Sequence, residues 1–125
     1  MLVKHEQLTE QIIKGFYIVY RALGYGFLEK VYENALVLEL HQRGADVRQQ
    51  VPITVCYRGG IVGEYVADLV VAGKVIVELK ATSRIEPFHE VQLVNYLKAT
   101  DIEVGLLVNF GHELKYVRRV LSNQE

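Results

Sequence analysis

A chain of 125 residues, half of them apolar and 23% charged, has the length and balance of one soluble domain, 1–125, able to bury a sizeable core. A formal net charge of −1 excludes a bulk electrostatic pull toward nucleic acid, and a single cysteine, Cys56, excludes an internal disulfide. The first residues lack the apolar core of a signal peptide and no apolar run nears the ~20 residues of a membrane helix, so the expectation is a cytoplasmic protein with no membrane partner.

Apolar residues at Leu8, Ile12, Phe16, Val19, Tyr20 and Leu23 follow helical spacing and predict a helix over 4–23, broken by Gly24, Tyr25 and Gly26. A second helix is predicted over 28–43, with Leu28, Val31, Tyr32, Ala35 and Leu36 turned inward and Gly44 just past its end. The period then changes to two. Val51, Ile53, Val55 and Tyr57 alternate with Pro52, Thr54 and Cys56, and Pro52 points to an edge strand. Cys56 reads as a small buried hydrophobe. Arg58, Gly59 and Gly60 turn the chain into strands over 61–71 and 75–81. Pro87 opens a helix running to about Thr100. A fourth strand covers 103–110, and a last strand-like element lies near 115–121. The order α-α-β-β-β-α-β predicts an α/β fold, a mixed central sheet flanked by helices, in which the strand–helix–strand step makes a right-handed parallel connection.

The stretch "VADLVVAGKVIVELKAT" is the informative one, because Asp68, Glu78 and Lys80 interrupt strands otherwise made of Val, Ile and Leu. Carboxylates fit a half-buried pleated surface poorly. A three-residue loop, Ala72-Gly73-Lys74, sets residue 68 opposite residue 78 and turns both acids to one side. Like charges directly opposite destabilise a sheet, and burying them costs more unless they are paired or bind a metal. Lys80 compensates in part. A hard divalent cation such as Mg²⁺, held by a few carboxylates, compensates better. The bland alternative is a solvated strand face with a surface ion pair of little energetic worth.

Further blocks weigh against that alternative. "GYGFLEKVYENAL" carries Gly26, Glu29, Tyr32 and Glu33, and "HEVQLVNYLKAT" carries Gln92 and Tyr96 four apart on one helix face. In order and spacing, these blocks with "GLLVNFG" resemble the PD-(D/E)XK nuclease superfamily. More closely, the chain resembles the small bacterial family named for its G-x-x-E-x-x-Y motif, here Gly26 to Tyr32. The resemblance implies a restriction-endonuclease-like core and a metal-dependent nuclease, a hydrolase of phosphodiester bonds, with DNA placed ahead of RNA as substrate. It implies Mg²⁺ as cofactor, Mn²⁺ as substitute, and Glu29, Asp68 and Glu78 as metal ligands. Lys80 is implied to orient or activate the attacking water, and Gln92 and Tyr96 complete the catalytic set. The proline of the superfamily name is absent, Ala67 standing before Asp68. The alternative class is a non-catalytic nucleic-acid- or protein-binding module on the same fold. Small size and the lack of a basic balance leave room for a protein partner or a homo-oligomer.

Other residues carry plainer readings. His89 reads as a polar, solvated histidine near the Gln92 face. His5, His41 and His112 have no metal-ligand spacing. Glu33 reads first as a structural acid and second as an outer ligand, Tyr32 as core, and Gly26 as a turn residue. Arg84, Lys98, Lys115, Arg118 and Arg119 are candidates for phosphate contacts, each with a solvated face as its alternative.

Overall fold

A computed structural model describes residues 5–122. The chain order is α1 (Glu6–Leu23), α2 (Glu29–Gln42), β1 (Val47–Tyr57), β2 (Gly60–Val71), β3 (Val75–Lys80), α3 (Pro87–Lys98), β4 (Val104–Phe110) and β5 (Leu114–Val120). The predicted order holds, and the element near 115–121 is a fifth strand. Lys4, the expected start of the first helix, lies outside the described residues.

The five strands lie in sequence order, β1 to β5. All neighbours are antiparallel except β3 and β4, which are parallel and joined through α3. β1 is an edge strand, as Pro52 suggested. The β1–β2 hairpin closes on Arg58 and Gly59, both at positive φ, which matches the twist of the paired strands.

Two apolar layers flank the sheet. On one face Ile12, Phe16 and Val19 of α1 and Tyr32, Leu36 and Leu40 of α2 pack on Leu69, Val77, Leu106 and Phe110. On the other, Leu93, Tyr96 and Leu97 of α3 pack on Val70, Ile76 and Leu107. β4 is buried along its whole length because helices cover both sides. Gly105 lets α3 sit close on β4, since a Cβ there would lie 2.7 Å from Leu93 Cδ1.

Three burial expectations fail. Leu28 and Val31 are exposed, because Leu28 precedes the helix and the buried face of α2 runs through Tyr32, Glu33, Leu36 and Leu40. Cys56 is exposed, as is its neighbour Tyr57, for which no burial was expected, where the β1–β2 hairpin continues past a register shift at Val55/Cys56. No described helix is long and apolar enough to cross a membrane.

Candidate active site

The Ala72-Gly73-Lys74 loop sets the register Val71↔Val75, Val70↔Ile76 and Leu69↔Val77, where the regular β2–β3 pairing stops. Continued by one step, that register sets Asp68 against Glu78, as the odd loop requires. There the side chains take over the bonding. The Asp68 amide donates to Glu78 Oε2 at 2.7 Å, and the Leu79 amide donates to Asp68 Oδ2 at 2.8 Å. The two acids are wedged between diverging strands, each satisfying an amide of the other strand. That is why carboxylates are tolerated in an apolar strand: buried polar atoms persist when hydrogen-bonded.

Around this split the fold gathers the other acids and the lysine. Glu29, in the first turn of α2, interacts electrostatically with Asp68 and Lys80. Tyr96, on α3, interacts with Glu78 and Asp68, and its ring lies 5.6 Å from that of Tyr65. The strand acids therefore lie at the end of a strand ladder, within electrostatic reach of Glu29 of α2 and Tyr96 of α3. Gln92 sits one turn before Tyr96, half-buried and without a side-chain hydrogen bond among the described residues.

The electrostatics are those of crowded acids. Burial first, and then the Asp68 carboxylate, push Glu78 up to about 8, against the pull of the Asp68 amide and Lys80. Burial also raises Asp68, opposed chiefly by the hydrogen bond from the Leu79 amide. Glu29 is raised by burial and by Asp68. Burial and the two strand acids push Tyr96 up to about 12, so its phenol stays a donor at neutral pH.

A supporting frame holds these groups. Glu33 is buried and takes hydrogen bonds from Lys30, Gln49 and Gln50, so its reading as a structural acid fits. Gln50, at φ 52, reaches Asp68 Oδ1 at 3.5 Å. Tyr32 is core and also a clamp. Its ring stacks on Phe110 at 4.6 Å, while its hydroxyl donates to the Gly24 carbonyl and accepts the Phe27 amide, tying down the loop before Glu29. Asn109, opposite Lys80 in the β3–β4 register, is buried and bonds Thr82 twice, at 2.9 Å through its oxygen and 3.0 Å through its nitrogen.

Sequence reasoning missed Gln50 and Asn109. Asn109 at least stands out as polar amid apolar strand residues, whereas Gln50 follows Arg48 and Gln49 and gives no such signal.

His89 is corrected. It is buried, and its Nδ1 accepts the Glu86 amide at 2.9 Å, capping α3; burial and Lys80 lower its pKa. Among the basic candidates, Arg84 pairs with Glu86, Lys115 with Glu113 and Arg119 with Glu90, while Lys98 is exposed and Arg118 half-buried.

As the side chains stand, no three His, Cys, Asp or Glu among the described residues gather tightly enough to ligate one ion. The strand acids are each turned onto a backbone amide. The donor set nevertheless suits a hard cation. Its oxygens are carboxylates, and Glu78 and Glu29 are both raised, after burial, by the Asp68 carboxylate, a repulsion that a dication would relieve.

A strand–helix frame thus brings paired acids and a lysine to a split between strands. The model of the PD-(D/E)XK nuclease superfamily matches residues 6–120, and the chain belongs to that superfamily. No curated protein matches the chain significantly. Among solved structures it is similar to SSO0001, with TM-score 0.57 and 18% identity over 74% of this chain and 50% of that one. It is also similar to an alkaline exonuclease, LHK-Exo, from Laribacter hongkongensis, with TM-score 0.55 and 12% identity over 75% and 56% of the two chains. At these identities the likeness shows the fold, a mixed five-stranded sheet with helices on both faces. The chain spans about half the length of either structure.

Proposed function

We propose that this chain is a metal-dependent nuclease of the G-x-x-E-x-x-Y kind, formed as one domain over 1–125, cytoplasmic, hydrolysing phosphodiester bonds with DNA as the preferred substrate. The observation that carries the reading is the pair Asp68 and Glu78 at the end of the β2–β3 ladder, with Glu29, Lys80 and Tyr96 around it. Glu29, Asp68 and Glu78 would hold Mg²⁺ or Mn²⁺. When bound, the cation would supply charge neutralisation at the phosphate and acidification of water.

The chain's own residues have distinct parts. Lys80 carries a positive charge on the strand that bears Glu78, and it meets negative charge developing on the phosphate. Tyr96 keeps its proton and donates a hydrogen bond to an oxyanion or a water. Gln92, one turn away, orients a water or phosphate oxygen. Burial of the acids excludes bulk water and strengthens each of these interactions.

The test is cleavage of single-stranded, duplex and branched DNA and RNA with Mg²⁺, Mn²⁺, Ca²⁺ or EDTA. Asp68→Ala and Glu78→Ala should abolish cleavage and also the rise in Tm that the cation produces by mass action. Lys80→Ala should keep that rise and lose turnover. Cleavage surviving EDTA, or equal cleavage by wild type and Lys80→Ala, would refute the assignment.

A further inference from the structure

Lys80 is the last residue of β3, and regular β3–β4 pairing ends there, at Lys80↔Asn109. Its ammonium interacts electrostatically with Glu29, Asp68 and Glu78 and with His89 of α3. The end of a strand opens locally unless the chain beyond it is held. That chain runs on to α3, which carries Gln92 and Tyr96.

The hold comes from β4. Ile76 and Leu107 both face α3, and Lys80 and Asn109 follow them by even steps, so the two share that face. The Asn109 amide is occupied by Thr82, two residues past Lys80. Its Oδ1 accepts the Thr82 N–H at 2.9 Å, and its Nδ2 donates to the Thr82 carbonyl at 3.0 Å. One side chain thus pairs both backbone groups of one residue, as a neighbouring strand would. Asn109 is 2% exposed in a strand otherwise made of Val, Gly, Leu and Phe. An apolar residue would fill the space equally well but would leave the Thr82 amide and carbonyl without these bonds.

The surroundings reinforce the contact. A Cβ on Gly111 would lie 2.5 Å from the Thr82 carbonyl oxygen and 2.9 Å from Asn109 Nδ2, so only glycine admits so close an approach. Gly111 is itself tied to α1, its carbonyl accepting the Tyr20 hydroxyl at 2.7 Å. Beyond Thr82 the bonding continues toward α3. Thr82 Oγ1 donates to the Arg84 carbonyl at 2.8 Å, and the Glu86 amide donates to His89 Nδ1 at 2.9 Å.

We propose that Asn109 is a positioning residue of the candidate active site: by holding Thr82 it fixes the backbone on which Lys80 stands, and so keeps the ammonium among Glu29, Asp68 and Glu78. The part that ammonium plays in turnover rests on the nuclease reading above; its placement by Asn109 does not.

Two readouts test this. The first needs no substrate. In protein labelled with ¹³C-lysine, the Lys80 ε-methylene signal, assigned by its loss in Lys80→Ala, is followed in EDTA. Asn109→Leu keeps the volume and removes both bonds, and Asn109→Ala removes them with the side chain. In each, the signal should move toward that of an exposed lysine such as Lys14. Gly111→Ala, which presses on Thr82 with Asn109 in place, should move it too. Val47→Ala, a buried truncation in the edge strand β1, should lower Tm and leave the signal where it is. A Lys80 signal unmoved in both Asn109 variants overturns the proposal. The second readout is cleavage with Mg²⁺. Asn109→Leu should lower kcat by roughly ten- to a hundredfold at unchanged KM, the scale on which a small misplacement acts. Val47→Ala should keep the wild-type kcat. A moved signal at wild-type kcat also overturns the proposal. Cleavage by wild type with an unmoved signal keeps the nuclease and removes the clamp. A moved signal with no cleavage by wild type keeps the clamp and removes the nuclease.

Discussion

Glu78 should destabilise the metal-free protein at neutral pH, and replacing it should reveal by how much. Its carboxyl titrates near 4.5 when the chain is unfolded and at about 8 when folded, where it is 4% exposed. Because the folded value is the higher one, the native state keeps its proton over a window in which the unfolded chain has lost it. Stability is full below the unfolded value, falls as pH rises from 4.5 to about 8, and levels off above that. At 1.36 kcal/mol per unit, the penalty is about 3 kcal/mol at pH 7 and between ~4 and ~5 kcal/mol at pH 9. Glu78→Gln removes the titration while its carbonyl oxygen can still accept the Asp68 amide. For a domain of this size, 3 kcal/mol corresponds to a Tm rise of about 10 °C. The assay is thermal unfolding in EDTA, wild type against Glu78→Gln, from pH 4.5 to 9. The two curves should meet at the acid end and part steadily toward pH 8. A variant that melts below wild type at pH 7.5, or a gap that does not change with pH, would refute the reasoning and recast the acids as a stabilising ion-pair network.

Three other outcomes are expected. Gln92→Ala should lower kcat by roughly ten- to a hundredfold, the worth of one hydrogen bond to a charged group at ~1.5–3 kcal/mol, with the Mg²⁺-induced rise in Tm unchanged. Ala72→Gly should stabilise by about 0.5–1 kcal/mol in denaturant titration, because Ala72 sits at φ 54, where a Cβ is strained. Mg²⁺ binding at pH 7 should release close to one proton, since a carboxyl titrating near 8 is mostly protonated there; calorimetry in buffers of different ionisation heat would show it, and no buffer dependence would count against Glu78 as a ligand.

Much of the fold was legible because apolar period and turn chemistry agree locally. The odd loop at Ala72-Gly73-Lys74 was enough to set Asp68 against Glu78, since side-chain direction in a strand has a period of two. Pro52 placed β1 at an edge for a similarly local reason, its missing donor. What failed depends on partners distant in sequence. Cys56 and Val31 are apolar in a periodic segment, yet no layer covers them. His89 reads as solvated until the Glu86 amide is seen to point at its ring nitrogen. Gln50 and Asn109 act through acids or backbone 18 and 27 residues away in the chain, partners that no local pattern reports. The face expected to carry the acids is a split between strands, because the sheet parts where the side chains replace its ladder.

That parting ties the fold to the chemistry. In a continuous β2–β3 ladder the Asp68 and Leu79 amides could not both point into the gap between the strands, because antiparallel hydrogen bonds fall on alternate residue pairs, and the two acids would stand side by side with nothing to bond. Opening the ladder satisfies both amides and both acids at once, but only while the side chains stay in the split. The surrounding sheet can bear this because β3 and β4 are buried along almost their whole length and hold the geometry from behind. The charges still do not balance. Glu29, Asp68 and Glu78 bring three negative charges when ionised and Lys80 brings one positive, a residue of two. Without a cation the protein resolves this by keeping a proton on Glu78. On the nuclease reading, a divalent cation would balance the charge without the proton. The same acids that should make the metal-free fold less stable at neutral pH are therefore the ones that would give a cation its reason to bind.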